Sequence, residues 1–537
     1  MRIATLKLEK LLVPLCFLTT VSFAYADELN EVSTDSGVFR GHASEYAVGV
    51  TVFKGIAYAS PPVRDLRWRP PEAAIPFAGV RNADSIGPAC WQARNSDDSL
   101  YARGNLERSE DCLYLNLYSG AADSADSLPV MVWFHGGGNT AGHGGALIFD
   151  GSNLAARGAV IIAANYRLGT LGFLAHPALT AESEYDSSGN YGILDQLQVL
   201  QWVQTNIANF GGDPDRVTIF GQSAGGTDVC LIMSSPLAEG MVHGVVGESP
   251  GCIKMDRALA DGDNSGHGAG LEYAAELKVS GSGAAALKQL RAVSAQQLVE
   301  AGVGGGPQVD GWVIPDSPYS MLESGSQNKI PVMVGGLAHE SHGLQHTSPE
   351  INGQQLDGYL QATFGRAAGQ VADAYADLAV VSPLDARKQI ATDNGFLLSA
   401  RMWGRLVTER GDDAYVYLFS REPPVFRLYV PAMPDLYGDG GQRRFGAYHS
   451  GELAYVFDNL DVVGLGWDED DHGLSELMAD YWVSFARNGN PNGDGLPRWP
   501  VYDPATDIVQ ILDSQVRSEV HPKKAELDML EALYLER

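Results

Sequence analysis

The sequence predicts an α/β fold with a large, mostly parallel central sheet and helices on both faces. Six apolar runs rich in β-branched and aromatic residues can form strands, at 129–134, 159–165, 217–220, 242–248, 330–335 and 414–419. Over residues 193–207 apolar side chains recur at three- and four-residue steps, the period of a helix. Strands that are buried on both faces and separated by helices are typical of parallel sheets.

A Gly-x-Ser-x-Gly segment at residues 221–225 follows the strand predicted at 217–220. Residues 227–233 can form a helix, so the chain must turn sharply from strand to helix. The two glycines let the backbones pass closely, and the turn exposes the Ser223 hydroxyl above a helix N-terminus. The pentapeptide alone also occurs in ordinary turns, but this context favours a nucleophilic serine.

The chain has 537 residues, of which 45% are hydrophobic, enough for a large core. Length alone suggests several domains, but the alternation of strands and helices runs through most of the chain. We therefore expect one domain over 27–537. A glycine-rich region at 262–306, with helical patches at 271–277 and 284–293, has the character of an insertion, and its role stays open.

The first 26 residues have the pattern of a secretory signal peptide. Basic residues precede the apolar stretch 11–23, and residues 24–26 form a small-x-small cleavage site before Asp27. The stretch is short for a membrane span, and no later segment is predicted to insert. We expect export to the periplasm or the cell exterior. The lack of an Asn-x-Ser/Thr sequon favours a bacterial protein.

The net charge of −29 disfavours some classes of partner. Such an acidic chain repels nucleic acid and anionic membrane surfaces. The acidic run at 468–471 lacks the spaced ligands and central glycine of a calcium loop. We expect no metal and no organic cofactor, and the sequence leaves the oligomeric state open.

Signal-peptide cleavage would leave four cysteines, an even number that favours two disulfides in an exported chain. Their order along the chain suggests Cys90–Cys112, which closes a loop, and Cys230–Cys252. For the second pair the alternative stays open that either residue is a buried free thiol.

A nucleophilic serine needs a base, an acid that orients the base, and donors for the oxyanion. Residues 133–138 end a predicted strand in His-Gly-Gly-Gly, where no side chain blocks the backbone amides. The amides of Gly137 and Gly138, with that of Ala224 after the serine, would form a three-donor oxyanion hole. A glycine triplet alone is more often a flexible turn.

The acid and the base are expected to follow the serine, in that order. The histidines well downstream of the serine are His339, His342, His346, His449, His472 and His521. His449 lies in a loop before the apolar run 453–457. Glu340 follows the strand predicted at 330–335, where an open sheet presents its active-site loops. Position alone does not separate these residues from structural or surface ones.

Together these motifs resemble the type-B carboxylesterase/lipase family, which includes the cholinesterases. The resemblance covers nearly the whole chain after residue 26, in the order 53–59, 66–71, 109–116, 165–167, 189–196, 210–214, 481–486 and 489–491. It implies an α/β-hydrolase fold whose insertions form a cap over the site, and hydrolysis of small carboxylic esters.

The resemblance also implies roles for individual residues. Ser223 matches the nucleophile, His449 the base and Glu340 the acid. The motif around the acid usually reads Asp-Glu-Gly, whereas residues 339–341 read His-Glu-Ser. The structural contacts that the family implies are a Cys90–Cys112 disulfide and the ion pairs Arg67–Glu110 and Arg167–Asp195.

Two positions argue against choline esters. Ala102 stands where cholinesterases carry a tryptophan that holds a quaternary ammonium, and Gln222 stands where they carry a glutamate. The expected function is therefore that of a secreted serine carboxylesterase. One alternative is a lipase for long-chain esters, which would need an apolar lid, whereas the loop 90–112 is polar. The other is a non-catalytic binding protein on the same fold.

Overall fold

The computed structural model describes residues 29–94, 96–260, 262, 264–302, 305–430, 433–438 and 440–536. The predicted signal peptide lies outside these ranges. The strands are β1 (Glu31–Thr34), β2 (Gly37–Arg40), β3 (His42–Ala43), β4 (Thr51–Ala57), β5 (Val80–Asn82), β6 (Ala89–Cys90), β7 (Arg108–Ser109), β8 (Tyr114–Ser119), β9 (Leu128–Phe134), β10 (Val160–Ala164), β11 (Gly212–Gln222), β12 (Gly244–Glu248), β13 (Val332–Leu337), β14 (Ala414–Phe419), β15 (Ile508–Leu512) and β16 (Arg517–Val520).

The α-helices connect and cover these strands. They are α1 (Ser152–Ala155), α2 (Gly169–Phe173), α3 (Pro177–Glu182), α4 (Tyr191–Asn206), α5 (Ala224–Ser234), α6 (Gly266–Glu276), α7 (Ala284–Ala292), α8 (Ala295–Glu300), α9 (Pro318–Ser324), α10 (Glu340–Leu344), α11 (Gly353–Phe364), α12 (Ala368–Ala374), α13 (Ala376–Val381), α14 (Pro383–Thr392), α15 (Leu398–Glu409), α16 (Leu453–Val456), α17 (Leu460–Val463), α18 (Glu469–Asn488) and α19 (Lys524–Leu535). No helix among the described residues is both long and apolar enough to cross a membrane.

The central sheet has the strand order β16-β15-β14-β13-β12-β11-β9-β10-β8-β4-β3. The strands from β15 to β10 in this order pair in parallel. Antiparallel partners extend the sheet at both edges. The prediction of a mostly parallel sheet is therefore confirmed. Because β9, β11 and β13 run in one direction, the loops after them emerge on the same side of the sheet, at the carboxyl ends of the parallel strands.

Side chains alternate between two cores, one on each face of the sheet. In β9, Val130 and Val132 belong to one cluster of buried residues, while Met131 and Trp133 belong to the other. Helix α4 packs on the first face and helix α18 on the second. Helices on both faces are what the continuous apolar runs predicted.

The six predicted strands are all present; β14 has the predicted bounds, and the other five differ from the prediction at one or both ends. The largest difference is in β11, which begins at Gly212 instead of residue 217 and pairs Gly212 with Leu128 across an irregular register. Because residues 213–216 are polar or proline, the sequence does not indicate this extension of the strand. Helix α5 begins at Ala224 instead of residue 227, despite its two glycines.

The region predicted as an insertion, 262–306, contains α6, α7 and α8. It packs against the beginning of the chain, where Arg67 donates to the carbonyl of Val293 at 2.7 Å and Arg291 donates to the carbonyl of Arg67. Arg67 also forms the ion pair with Glu110, at 2.6 Å. Both expected disulfides are present, Cys90–Cys112 and Cys230–Cys252.

Candidate active site

Ser223 lies at the turn between β11 and α5, with a φ of 60°. This left-handed region is uncommon for a residue with a side chain and costs on the order of 1–3 kcal/mol. The amide of Ser223 donates to the carbonyl of Glu248 at 2.8 Å, which ties the turn to the end of β12. A side chain on Gly225 would collide with the backbone of Phe134. The turn therefore presents the hydroxyl at the edge where the parallel strands end.

Glu340 and His449, the predicted acid and base, are in direct contact. Oε2 of Glu340 lies 2.5 Å from Nδ1 of His449, although the two residues are 109 positions apart in the chain. The second oxygen of Glu340 accepts from the amide of Leu337 at 2.8 Å. The two side chains are almost fully buried. A charge-assisted hydrogen bond between two buried groups fixes the orientation of the His449 ring and its tautomer.

The unusual neighbours of Glu340 do not disturb this contact. Nδ1 of His339 accepts from the amide of Ala447 at 3.2 Å. The amide of Ser341 donates to Oγ1 of Thr392 at 3.0 Å. Each neighbour thus forms its hydrogen bond with a group other than the Glu340 carboxylate, so the His-Glu-Ser sequence still places Glu340 against His449.

The other nitrogen of His449 faces Gln222. Nε2 of His449 lies 3.2 Å from Nε2 of Gln222, and Oε1 of Gln222 accepts from the Ser450 hydroxyl at 3.0 Å. With the Nδ1 proton donated to Glu340, Nε2 of His449 is an acceptor and the glutamine amide donates to it. Ser223 and His449 line the same cavity, but no hydrogen bond between them is present in the described part of the chain. Catalytic hydrogen bonds are often long or unformed before substrate binds.

The predicted oxyanion donors flank Ser223. Gly137 and Gly138 have φ values of 117° and 65°, which glycine adopts readily. A methyl group on Gly136 would come 3.0 Å from Cβ of Ser223, so this loop passes directly beside the nucleophile. Ala224 begins α5, and the amides of a helix's first turn lack partners within the helix.

A polar network that the sequence did not indicate supports the glycine loop. Asn139, with a φ of 56°, donates to Oδ1 of Asp228 at 2.8 Å, and Gln196 donates to Oδ2 at 2.7 Å. The Tyr166 hydroxyl donates to the carbonyl of His135 at 2.6 Å. Burial raises the pKa of Asp228 to about 7. These residues come from separate elements and form no motif, so only the fold brings them together.

Two further buried carboxyl groups lie near the site. Glu452 is fully buried, and neither of its oxygens has a hydrogen-bond partner within the described ranges. Burial, with the charges of Glu248 and Glu340, raises its pKa well above the usual value. Burial also raises the pKa of Glu248 to about 8, although Trp482 donates to Oε1 at 2.8 Å. Sequence reasoning did not identify either acid.

The cavity above Ser223 has a volume of about 310 Å³. The cavity is lined by the glycine loop, by the end of β11, by the loop that carries His449, and by Leu344 and Tyr429. Tyr101 and Arg103, from the Cys90–Cys112 loop, form the rest of its wall. Within the described residues, helices α6–α8 contribute no side chain to this cavity. Arg103 was not singled out by the sequence, and it places a buried guanidinium in the wall.

The chain matches known proteins over most of its length. The model of the carboxylesterase family matches residues 28–530. The fumonisin B1 esterase of Sphingopyxis macrogoltabida is 35% identical over 505 residues, which cover 92% of this chain and 88% of that protein. Human cocaine esterase is 32% identical over 501 residues, 88% of this chain and 85% of that one. A solved carboxylesterase of Geobacillus stearothermophilus superposes with a TM-score of 0.79 at 30% identity, covering 94% of this chain and 100% of that one.

Proposed function

Since the chain belongs to the carboxylesterase family and is a carboxylic ester hydrolase with the α/β-hydrolase fold, we propose that it acts through an acyl-enzyme on Ser223. The observation that carries this proposal is the contact between Glu340 and His449 at the cavity that Ser223 lines. An acid, a base and a strained serine at one opening are the parts that acyl transfer needs.

In the first step, Ser223 attacks the ester carbonyl while Nε2 of His449 takes its proton. Glu340 keeps the Nδ1 proton in place and stabilises the imidazolium that forms. The substrate and the serine hydroxyl must first displace the Gln222 amide from Nε2, because that nitrogen is occupied before substrate arrives. The amides of Gly137, Gly138 and Ala224 then donate to the oxyanion, each lowering the barrier by roughly 3 kcal/mol.

In the second step, His449 returns its proton to the departing alcohol, and a water molecule takes the alcohol's place. His449 accepts a proton from this water as the water attacks the acyl group on Ser223. Collapse of the second tetrahedral intermediate releases the carboxylic acid and restores the serine hydroxyl. The sum is one ester and one water converted into one acid and one alcohol.

The substrate in this proposal is a small ester, and a long-chain lipase activity is the weaker alternative. A cavity of about 310 Å³ is at the small end for ligand sites, which favours a small ester over one with a long acyl chain. A choline ester fits poorly, because Arg103 is a cation in the wall and Ala102 offers no aromatic face. A non-catalytic binding protein would not need the contact between Glu340 and His449.

We further propose that residues 1–26 direct export and that 27–537 form one domain. The two disulfides support an oxidising compartment such as the periplasm or the cell exterior. The absence of a glycosylation sequon favours a bacterial host. The protein is proposed to act without a cofactor, because each step above uses groups of this chain and water.

The test is Ser223→Ala, assayed with 4-nitrophenyl acetate. We expect kcat to fall by roughly 10⁵-fold or more, because the nucleophile is lost. Ser514→Ala, an exposed serine outside the cavity, is the matched control and keeps wild-type activity. A fluorophosphonate should label wild type at Ser223 and leave the variant unlabelled. A folded Ser223→Ala protein with undiminished turnover, or labelling at another residue, would refute the assignment.

A further inference from the structure

Arg103 is a buried cation in the wall of the cavity above Ser223. Its residue surface is 8% exposed, and Nε has no hydrogen-bond partner within the described ranges. Cζ of Arg103 lies 5.0 Å from the centroid of the Tyr429 ring, which also lines the cavity. The guanidinium therefore has a supporting ring beside it and an open cavity in front of it.

The groups around Arg103 are neutral. Burial lowers the pKa of His135 to about 3, and burial together with the Arg103 charge lowers that of His143 to about 4. Burial keeps the hydroxyl of Tyr429 protonated by raising its pKa. In the part of the chain that the structure describes, no carboxylate comes within 4.0 Å of Arg103. The neighbouring groups thus supply no negative charge.

Each of the other buried arginines in the described chain has a carboxylate partner. Arg67 pairs with Glu110 at 2.6 Å, Arg167 with Asp195 at 2.7 Å, and Arg401 with Asp507 at 3.1 Å. Buried charges are paired in proteins because an isolated one loses its hydration without compensation. A guanidinium cannot escape this cost by losing its proton. The exception at Arg103 therefore points to an anion that comes from outside the chain.

The position of Arg103 sets where that anion would bind. A methyl group placed on Gly137 would come 3.0 Å from Nη2 of Arg103. The Gly137 amide is one of the proposed oxyanion donors, so the guanidinium lies beside the place of the ester carbonyl. Planar guanidinium and carboxylate groups match in a two-bond arrangement. An anion held there would be separated from the carbonyl by only a few atoms.

We propose that Arg103 binds a carboxylate of the substrate, so that the preferred esters carry a carboxylate close to the scissile carbonyl, as half-esters of dicarboxylic acids do. This inference rests on the proposed function, because it takes Ser223 and the Gly137 loop as the place of reaction. It makes Arg103 a specificity-determining residue that contacts the substrate away from the bond that breaks.

The experiment compares two esters that differ in the one charged group. Mono-(4-nitrophenyl) glutarate carries a carboxylate where 4-nitrophenyl pentanoate carries a methyl group. We expect wild type to prefer the glutarate at least tenfold in kcat/KM. Arg103→Gln should lower this glutarate-to-pentanoate ratio by at least tenfold, and Arg103→Lys by less. Carboxymethyl acetate against ethyl acetate, followed by acid release, tests the same preference with the carboxylate on the alcohol.

The matched control is Arg94→Gln, which removes the same charge from the same loop. The Arg94 side chain is 61% exposed and lies outside the cavity wall. We expect its glutarate-to-pentanoate ratio to equal that of wild type. A change as large as that of Arg103→Gln would mean that the net charge of the protein, and not a bound carboxylate, sets the preference, and it would overturn the inference.

Other outcomes separate this inference from the proposed function. If wild type hydrolyses the neutral esters and shows no preference in either pair, the inference is wrong and the proposed function stands. If Arg103→Gln slows both esters equally, Arg103 supports the oxyanion instead, and the inference is again wrong. If no ester is hydrolysed, the proposed function fails, and calorimetric titration with glutarate decides: binding by wild type that Arg103→Gln loses supports the carboxylate site, and equal or absent binding refutes it.

Discussion

Arg167 and Arg103 are both buried, yet their surroundings are opposite. The Arg167 residue is 3% exposed, and its guanidinium donates to both oxygens of Asp195, at 2.7 and 2.8 Å. It also donates to the carbonyl of Arg69 at 2.9 Å. Arg103 is 8% exposed and faces a cavity, with a tyrosine ring and neutral histidines around it.

The comparison indicates how a buried charge can be interpreted in this protein. Asp195 lies in α4 and Arg167 lies just after β10, so their bond joins a helix to the carboxyl end of a strand inside the sheet. A charge whose counterion belongs to the chain holds elements together. A charge that has no counterion in the chain, and that borders a cavity, marks the position of a ligand group.

The largest expected effect is that of Arg167→Met. The substitution leaves the Asp195 carboxylate buried without its partner, which typically costs about 3–5 kcal/mol of unfolding free energy. Urea denaturation of the purified protein, followed by circular dichroism, measures the change. The matched control is Arg40→Met, because Arg40 forms an exposed ion pair with Glu31 at 2.6 Å. Exposed pairs contribute about 0–1 kcal/mol, and equal losses in the two variants would contradict the comparison.

Glu248 is the intermediate case, because one of its oxygens has a partner and the other has none. Burial raises its pKa from an ordinary value of 4.5 to about 8. Between these two pH values the folded state holds a proton that the unfolded state has released. The free energy of unfolding should therefore fall as pH rises through this window, by up to about 1.4 kcal/mol per pH unit.

Glu248→Gln sharpens this expectation. The glutamine keeps an acceptor for Trp482 and cannot ionise, so the decline between pH 4.5 and about 8 should become shallower. Glu519→Gln, at a partly exposed position of β16, is the control and should leave the slope as in wild type. Unfolding curves at half-unit pH steps give the slopes. An unchanged slope in Glu248→Gln would show that this carboxyl does not titrate in the window.

Much of this site could be predicted because its chemistry lies in short segments. The serine turn and the glycine loop each combine a strand end with glycines, and the structure has both at the carboxyl edge of the sheet. Choosing His449 among the six histidines well downstream of Ser223 required the family resemblance, since its contact with Glu340 spans 109 residues. Local sequence has no information about such a contact.

What could not be predicted depends on burial. Arg103 appeared as one of several charged residues in the disulfide loop, and Glu452 as a polar residue before an apolar run. Their burial follows from how separate loops pack, and so does the absence of a counterion among the described residues. The Asp228 network was missed for the same reason, because Asn139 and Gln196 reach it from different elements. In each case the role of the residue depends on an ionic or hydrogen-bond partner that is absent among the described residues or that comes from a distant part of the chain.

The smallest expected effect on stability is that of Arg103→Met, and its size tests the comparison with Arg167 directly. No carboxylate among the described residues loses a partner, and the substitution by methionine removes a poorly hydrated charge. The loss of the contact with the Tyr429 ring opposes this gain by about 2 kcal/mol, the size typical of a desolvated pair. We therefore expect the free energy of unfolding to stay within about 1 kcal/mol of wild type, measured as for Arg167→Met. A loss as large as that of Arg167→Met would mean that Arg103 has a counterion within the chain, and the two arginines would then have the same structural role.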